Sequence, residues 1–283
     1  MFMSTKEAAE KWSISERRVR VLCAEGRVDG VVQSSWAYLI PRNAPKPSDG
    51  RTLRHLKQER LRLGSPALER LEQFKAPDGP SLVHACRQGV DAFIVASFAV
   101  ESMALTTEEL GTLTSGEIVP TLALSTHLLS LHMRSIILSM ARQSKMGERP
   151  LRMSEQYLVE LYQLLCQGLE GDGAEGVSLP GIASRELEVL FIQDEQEFSS
   201  HHPLVRALFF YAEIMRIAPF HAYNGLLAAL VYARIMTEAG WAPALVSFDR
   251  IDELKAALVM TKRRGNYLSL TDLVGEAYGE QAI

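Results

Sequence analysis

The feature that most constrains the fold is an apolar stretch from residue 202 to residue 240 with a single break. Apolar residues on every side of a helix are typical of a buried helix. Pro219 cannot sit inside a regular helix, and its ring disfavours helical backbone at Ala218. Asn224, expected as a cap or left-handed residue, and Gly225 open the second helix. We predict two buried helices and a loop, 218–225, where the free N–H groups of the second helix can bind an anion.

This loop resembles the signature of the Fic family, H-P-F-x-(D/E)-G-N-G-R-x-x-R. Members of that family typically transfer AMP from ATP to a target hydroxyl. The positions that match are Pro219, Phe220, Asn224 and Gly225. The positions that differ are Ala218 for the catalytic His, Ala222 for the metal-binding acid, Tyr223 for the first Gly, and Leu226 and Ala229 for the two Arg residues. The resemblance implies a motif that keeps the residues that shape the loop and lacks the catalytic base, the metal ligand and both arginines.

A second motif lies upstream and resembles the inhibitory helix of the same family, (S/T)-x-x-x-E-(G/N). Ser97 and Glu101 match, and Ser102 takes the last position. The resemblance implies that Glu101 would block ATP binding by pairing with the second Arg of the signature, but Ala229 stands there. Because an unpaired carboxylate on an apolar helix is costly, we expect Glu101 to be partly exposed or to have a new donor.

AMP transfer needs a base, a Mg²⁺-binding acid, an Arg for the leaving phosphates and a helix N-terminus for the α-phosphate. Only the helix N-terminus survives here. His221 is the one candidate for a relocated base, and its other interpretation is a surface or backbone-bonded loop histidine; we favour the latter because no second catalytic group accompanies it. The histidine pairs 201/202 and 127/132 lack an acid or Cys at ligand spacing, so we predict no metal site and no cofactor.

The N-terminal residues predict a DNA-binding domain. Helices are expected over 4–12 and 16–25, followed by two short strands within 27–41 that Trp36 and Ile40 would pack onto the helices. This order resembles the MerR/excisionase type of winged helix-turn-helix. The second helix would enter the major groove with Ser15, Arg17, Arg18 and Arg20. The alternative is a structural or protein-binding helical hairpin.

Charge and length set the domain organisation. The 283 residues carry a net charge of −4, but residues 1–75 carry +6, and the rest therefore carries −10. A basic segment on an acidic body favours a nucleic-acid contact confined to the N-terminus. We predict a mainly α protein with a winged helix-turn-helix at 1–47, a linker with a connector helix at 48–79 and a helical Fic-like domain at 80–283.

Neither a membrane span nor a secretory signal is found in the sequence, so we expect a cytoplasmic protein. The first hypothesis is a DNA-binding transcriptional regulator, a homodimer on double-stranded DNA, whose inactive Fic-like domain serves oligomerisation or sensing. The second is a divergent Fic enzyme that transfers AMP or another phosphate-bearing group. The third is an antitoxin-like pseudoenzyme that restrains an active toxin as its protein partner.

Overall fold

The structure of the protein is a computed structural model that describes most of the chain. The described residues are 2–24, 28, 30–33, 38–46, 71–144, 146, 152–169, 179, 181–264 and 267–280. Contacts divide the chain into two compact units, Met1–Glu59 and Arg60–Ile283. Most of the predicted connector helix lies outside the described residues, as do the last residue of the helix expected over 16–25 and the wing residue Trp36.

The first unit combines two short helices with a small antiparallel sheet. Its elements are β1 (Phe2–Met3), α1 (Thr5–Trp12), α2 (Glu16–Ala24), β2 (Val32–Gln33) and β3 (Tyr38–Pro41). β3 is the central strand, and it pairs Ile40 with Met3 of β1 and Leu39 with Val32 of β2. The sequence predicts β2 and β3 but not β1, because two residues carry no alternating pattern.

Side-chain caps determine where both helices begin. Ser4 and Glu7 form a capping box, in which the Glu7 N–H donates to Ser4 Oγ at 3.2 Å and the Ser4 N–H donates to Glu7 Oε2 at 2.7 Å. Ser15 Oγ accepts from the Arg18 N–H at 3.2 Å. Ser13, with a φ of 53°, turns the chain between the two helices. The predicted starts of both helices are therefore confirmed.

The helices and the sheet share one small apolar core. Trp12 of α1 and Ile40 of β3 are both buried, and the predicted packing of Ile40 on the helices is confirmed. The other members are Met3, Ala8, Ala9, Val19, Leu22, Cys23, Val28 and Ala44. Because α2 buries Val19 and Leu22, its opposite face is left to solvent.

The regular secondary structure described in the second unit is all helical, which confirms the predicted mainly α class. Its helices are α3 (Gly79–Val100), α4 (Thr107–Thr114), α5 (Leu124–Gln143), α6 (Glu155–Leu165), α7 (Gly181–Gln196), α8 (Pro203–Ile217), α9 (Asn224–Ala239), α10 (Ile251–Arg264) and α11 (Leu268–Glu280). Short 3₁₀ turns occupy Phe198–Ser200 and Phe248–Arg250. The apolar-rich residues 186–192 lie within α7.

Helix α9 is the centre of the second unit. Every residue from 225 to 233 is buried, and α9 packs on α8, α3, α5 and α6. A helix that is apolar on all sides needs neighbours on all sides, which the surrounding helices provide. Among the described residues, none of the helices combines the length and apolar character that a membrane crossing requires.

Candidate functional site

The loop between α8 and α9 has two left-handed residues, one at each end. Ala218 ends α8 with a φ of 47°, and its N–H donates to the Ile214 carbonyl at 2.8 Å. Tyr223 precedes α9 with a φ of 58°. The break predicted at Pro219 is confirmed, but the role expected of Asn224 as cap or left-handed residue is wrong. Tyr223 takes the left-handed conformation, and Asn224 is already the first helical residue.

Asn224 instead closes the loop with its side chain. Its Oδ1 accepts from the Phe220 N–H at 2.9 Å, and its Nδ2 donates to the Phe220 carbonyl at 2.8 Å. The Phe220 ring is buried and stacks on Tyr162 of α6, with centroids 3.9 Å apart and an angle of 3° between the planes. These contacts fix the loop, and they explain why Phe and Asn belong to its scaffold.

The altered positions of the motif contribute no charged group to this site. Leu226 and Ala229 are fully buried in the core on α9. Ala218 is exposed and Ala222 is half-buried. His221 lies exposed on the loop. Buried apolar residues therefore stand at the two positions where the resembling pattern has Arg.

Glu101 ends helix α3 beside the start of α9. Ser97, one turn earlier, is buried, and its Oγ donates to the Phe93 carbonyl at 2.7 Å. Ser102 follows in the left-handed conformation with a φ of 60°, which explains the preference of the resembling motif for Gly or Asn at this position. This turn aims the Glu101 carboxylate at α9.

The Glu101 carboxylate caps the N-terminus of α9. Its Oε1 accepts a hydrogen bond from the Gly225 N–H. A Cβ added to Gly225 would lie only 2.9 Å from Cγ and Cδ of Glu101, so this close approach requires glycine. The expected new donor for Glu101 is therefore the Gly225 amide. The predicted anion site at this helix N-terminus holds an internal carboxylate.

Tyr211 of α8 lies close enough to Glu101 for the carboxylate charge to affect its pKa. It is fully buried, and its hydroxyl has no hydrogen-bond partner within the described structure. Burial raises the pKa of Tyr211 well above its usual range, and the negative charge of Glu101 adds to the shift. The phenol therefore stays neutral beside the carboxylate of Glu101.

The predicted DNA-contacting residues lie together at the start of α2. Ser15, Arg17 and Arg20 are exposed, and Arg18 is half-buried. Arg20 Nη2 forms an ion pair of 2.7 Å with Glu16, whose Oε1 also accepts from Thr5 Oγ1 at 2.9 Å. Sequence reasoning missed this triad, although the i, i+4 spacing of Glu16 and Arg20 is a recognisable signal.

The histidine pairs do not assemble into a site. His127 Nδ1 bonds to the Ala123 carbonyl at 2.9 Å, and His132 Nδ1 bonds to the Leu165 carbonyl at 2.9 Å. Over the ranges that the structure covers, no three His, Cys, Asp or Glu side chains are grouped so that they could hold a metal ion.

The fold is similar to that of solved Fic-domain proteins. A segment of Fic-1 from C. elegans has a TM-score of 0.60 and 16% identity, over 83% of this chain and 69% of that one. A Fic family protein from Desulfovibrio desulfuricans has a TM-score of 0.52 and 17% identity, over 84% and 76% of the two chains. A Fic domain containing signaling protein from Bacteroides thetaiotaomicron has a TM-score of 0.52 and 15% identity, over 83% and 92%.

No family model matches the sequence, and no curated protein matches it. The structural likeness therefore shows a Fic-like fold.

Proposed function

We propose that the protein is a DNA-binding transcriptional regulator whose Fic-like unit no longer transfers AMP. The exposed start of α2 is the observation that supports DNA binding. One face of this helix is fixed in the core by Val19 and Leu22, while Arg17 projects on the other and the exposed Ser15 caps the helix. A helix supported in this way, with basic residues in its first turns, suits the major groove.

Within this face the three arginines have different roles. Arg20 Nη2 lies 2.7 Å from Glu16 Oε1. This ion pair inside the protein offsets part of the charge that Arg20 could offer to DNA. Arg17 makes no ion pair with any residue that the structure describes. We therefore assign the main base or phosphate contact to Arg17, with Arg18 beside it.

DNA binding is tested by mixing the purified protein with fragmented genomic DNA and sequencing the bound fragments. The wild type is compared with the double variant Arg17→Ala/Arg18→Ala and with Arg87→Ala, which removes an exposed charge on α3 in the second unit. We expect a discrete enriched motif that the double variant loses and Arg87→Ala keeps. No enrichment by the wild type at moderate salt would refute the proposal.

The absence of catalytic groups from the motif supports the loss of AMP transfer. Ala218 offers no base, Ala222 offers no metal ligand, and Leu226 offers no guanidinium. Losing these together removes the means of positioning and charge stabilisation on which phosphoryl chemistry depends. The one remaining element, the N-terminus of α9, is already capped by Glu101.

AMP transfer is tested with labelled ATP and Mg²⁺, using wild type, Glu101→Ala and His221→Ala. We expect no labelled protein with any of the three, even when Glu101 no longer caps α9. Label that depends on His221 would overturn the proposal and favour a divergent enzyme.

The Fic-like unit then serves oligomerisation or sensing. Helix-turn-helix proteins usually bind two half-sites as dimers, so we propose a homodimer on double-stranded DNA. Sedimentation with and without the enriched DNA motif measures the stoichiometry. A single monomer per site would refute the dimer.

A further inference from the structure

An exposed valine lies in the middle of the basic face of α2. Val21 is 36% exposed, and the helix buries Val19 and Leu22 on its opposite side. Arg17, Val21 and Ala24 are all exposed and follow one another one helical turn apart. They therefore form a single row along the outer face of the helix, which begins with a cation and continues with two apolar side chains.

Neither helix propensity nor core packing accounts for a valine at this position. β-Branched residues lose side-chain freedom in a helix, so Ala, Lys, Arg or Glu fills an exposed helical position better. In the part of the chain that the structure describes, Val21 is not among the residues that form the small apolar core of the first unit. Its apolar surface is therefore available to whatever binds the outer face of α2.

The ion pair between Arg20 and Glu16 keeps the longest neighbouring side chain away from Val21. Arg20 Nη2 donates to Glu16 Oε1 at 2.7 Å, and Thr5 Oγ1 donates to the same oxygen at 2.9 Å. The hydrogen bonds from Arg20 and Thr5 lower the pKa of Glu16, so the carboxylate is charged at neutral pH. On the helix surface Glu16 lies farther from Val21 than Arg20 does, so the pair holds the guanidinium on the flank of the row.

The major groove of DNA presents groups that match this row. Arg binds the O6 and N7 atoms of guanine, or a phosphate, while the C5 methyl group of thymine is the apolar group on the base edges. Short apolar side chains pack against that methyl group without using a hydrogen-bonding group of the base. An arginine followed one turn later by an exposed valine therefore suits a DNA site that has a thymine beside the base or phosphate bound by the arginine.

We propose that Val21 is a specificity-determining residue that contacts the methyl group of a thymine, one turn along α2 from the contact made by Arg17. The inference rests on the proposed DNA binding and adds to it the kind of base that the helix selects. Contacts from arginine to phosphate hold the helix on DNA of any sequence. The valine favours thymine over cytosine, because cytosine carries a hydrogen atom where thymine carries the methyl group.

The test uses the DNA motif that the full-length protein enriches, prepared as duplexes in which each thymine in turn is replaced by uracil. Uracil pairs with adenine as thymine does and lacks only the methyl group. We expect at least one thymine whose replacement weakens wild-type binding about fourfold, the effect of burying one methyl group. An enriched motif in which no replacement weakens binding would overturn the inference and leave DNA binding intact. No enrichment at all would refute DNA binding and the inference with it.

Variants assign the effect to Val21. Val21→Ala shortens an exposed side chain at a helical position where Ala is the better helix former, so the fold survives. We expect this variant to bind the thymine and uracil duplexes with equal affinity. Val259→Ala is the matched control, because it shortens a valine that is 48% exposed on α10 in the second unit, and it should keep the wild-type difference. A difference that persists in Val21→Ala would show that another residue contacts the methyl group and would refute the assignment. The uracil series with the wild type needs no variant, so it can overturn the inference by itself.

Discussion

Replacing Gly225 by Ala should have opposite effects on stability, depending on whether Glu101 is present. A Cβ at Gly225 would lie 2.5 Å from Glu101 Oε1 and 2.9 Å from its Cγ and Cδ, so the carboxylate must leave the N-terminus of α9. The three nearest atoms all belong to Glu101. In the Glu101→Ala background this obstacle is absent, and only the helix propensity of Ala over Gly remains.

The expected magnitudes follow from the contact. A hydrogen bond to a charged group contributes about 1.5–3 kcal/mol, and because Glu101 is half-buried we take about 2 kcal/mol for the free energy of unfolding. Ala replaces Gly in a helix with a gain of about 0.5–1 kcal/mol. Gly225→Ala should therefore destabilise the wild type by about 1–1.5 kcal/mol and stabilise Glu101→Ala by about 0.5–1 kcal/mol.

The assay is a double-mutant cycle measured by urea denaturation with far-UV circular dichroism, which reports mainly on the helical second unit. Gly89→Ala on α3 is the control, because an added Cβ there meets nothing within 4 Å. We expect Gly89→Ala to stabilise both backgrounds equally. If Gly225→Ala destabilises the two backgrounds to the same extent, its Cβ meets something other than Glu101, and the reasoning is refuted.

Three further variants test other contacts of the second unit. Asp194→Asn removes the carboxylate charge that two bonds of 2.7 Å join to the buried Arg206 guanidinium and should destabilise by about 3–5 kcal/mol; a loss below about 1 kcal/mol by urea denaturation would contradict this. Asn224→Ala removes both bonds to Phe220 and should cost about 2 kcal/mol in the same assay, whereas an unchanged midpoint would show that the loop holds without them. Burial lowers the pKa of His202, so the unfolded state binds its proton first and stability falls as pH drops below the unfolded value of about 6.5; His202→Asn should make that fall shallower, and equal pH profiles would argue against it.

Local signals in the sequence predict the helices well. Pro219 marks the break between α8 and α9, and Ser4 caps α1 by accepting from the Glu7 N–H at 3.2 Å, where the helix over 4–12 is expected to begin. The apolar run after Gly225 predicts a helix with no exposed face, and α9 is buried on all sides. These features depend on residues within one or two turns of each other, which a sequence displays directly.

Contacts between distant segments could not be predicted in the same way. Glu101 and Gly225 are 124 positions apart, and no periodicity connects them. The resemblance of both segments to known motifs singled out the two residues, and the sequence predicted a new donor or partial exposure for the carboxylate without identifying the donor. The stacking of Phe220 on Tyr162 escaped prediction for the same reason, because the two rings meet only after the helices pack.

The contact between Glu101 and Gly225 changes how the loss of the motif arginines is understood. Where an Arg stands at the position of Ala229, the resemblance implies that it is the partner of the carboxylate. Here the apolar residue removes that partner, and the amide and dipole of α9 take over the negative charge. A contribution of about 2 kcal/mol is a large part of the 5–15 kcal/mol that stabilises a typical domain. The contact of Glu101 with α9 therefore contributes to folding stability whether or not a nucleotide is excluded. On that reasoning, Glu101→Ala loses stability without gaining ATP binding, and a gain of ATP binding would mean that the site has kept its old chemistry.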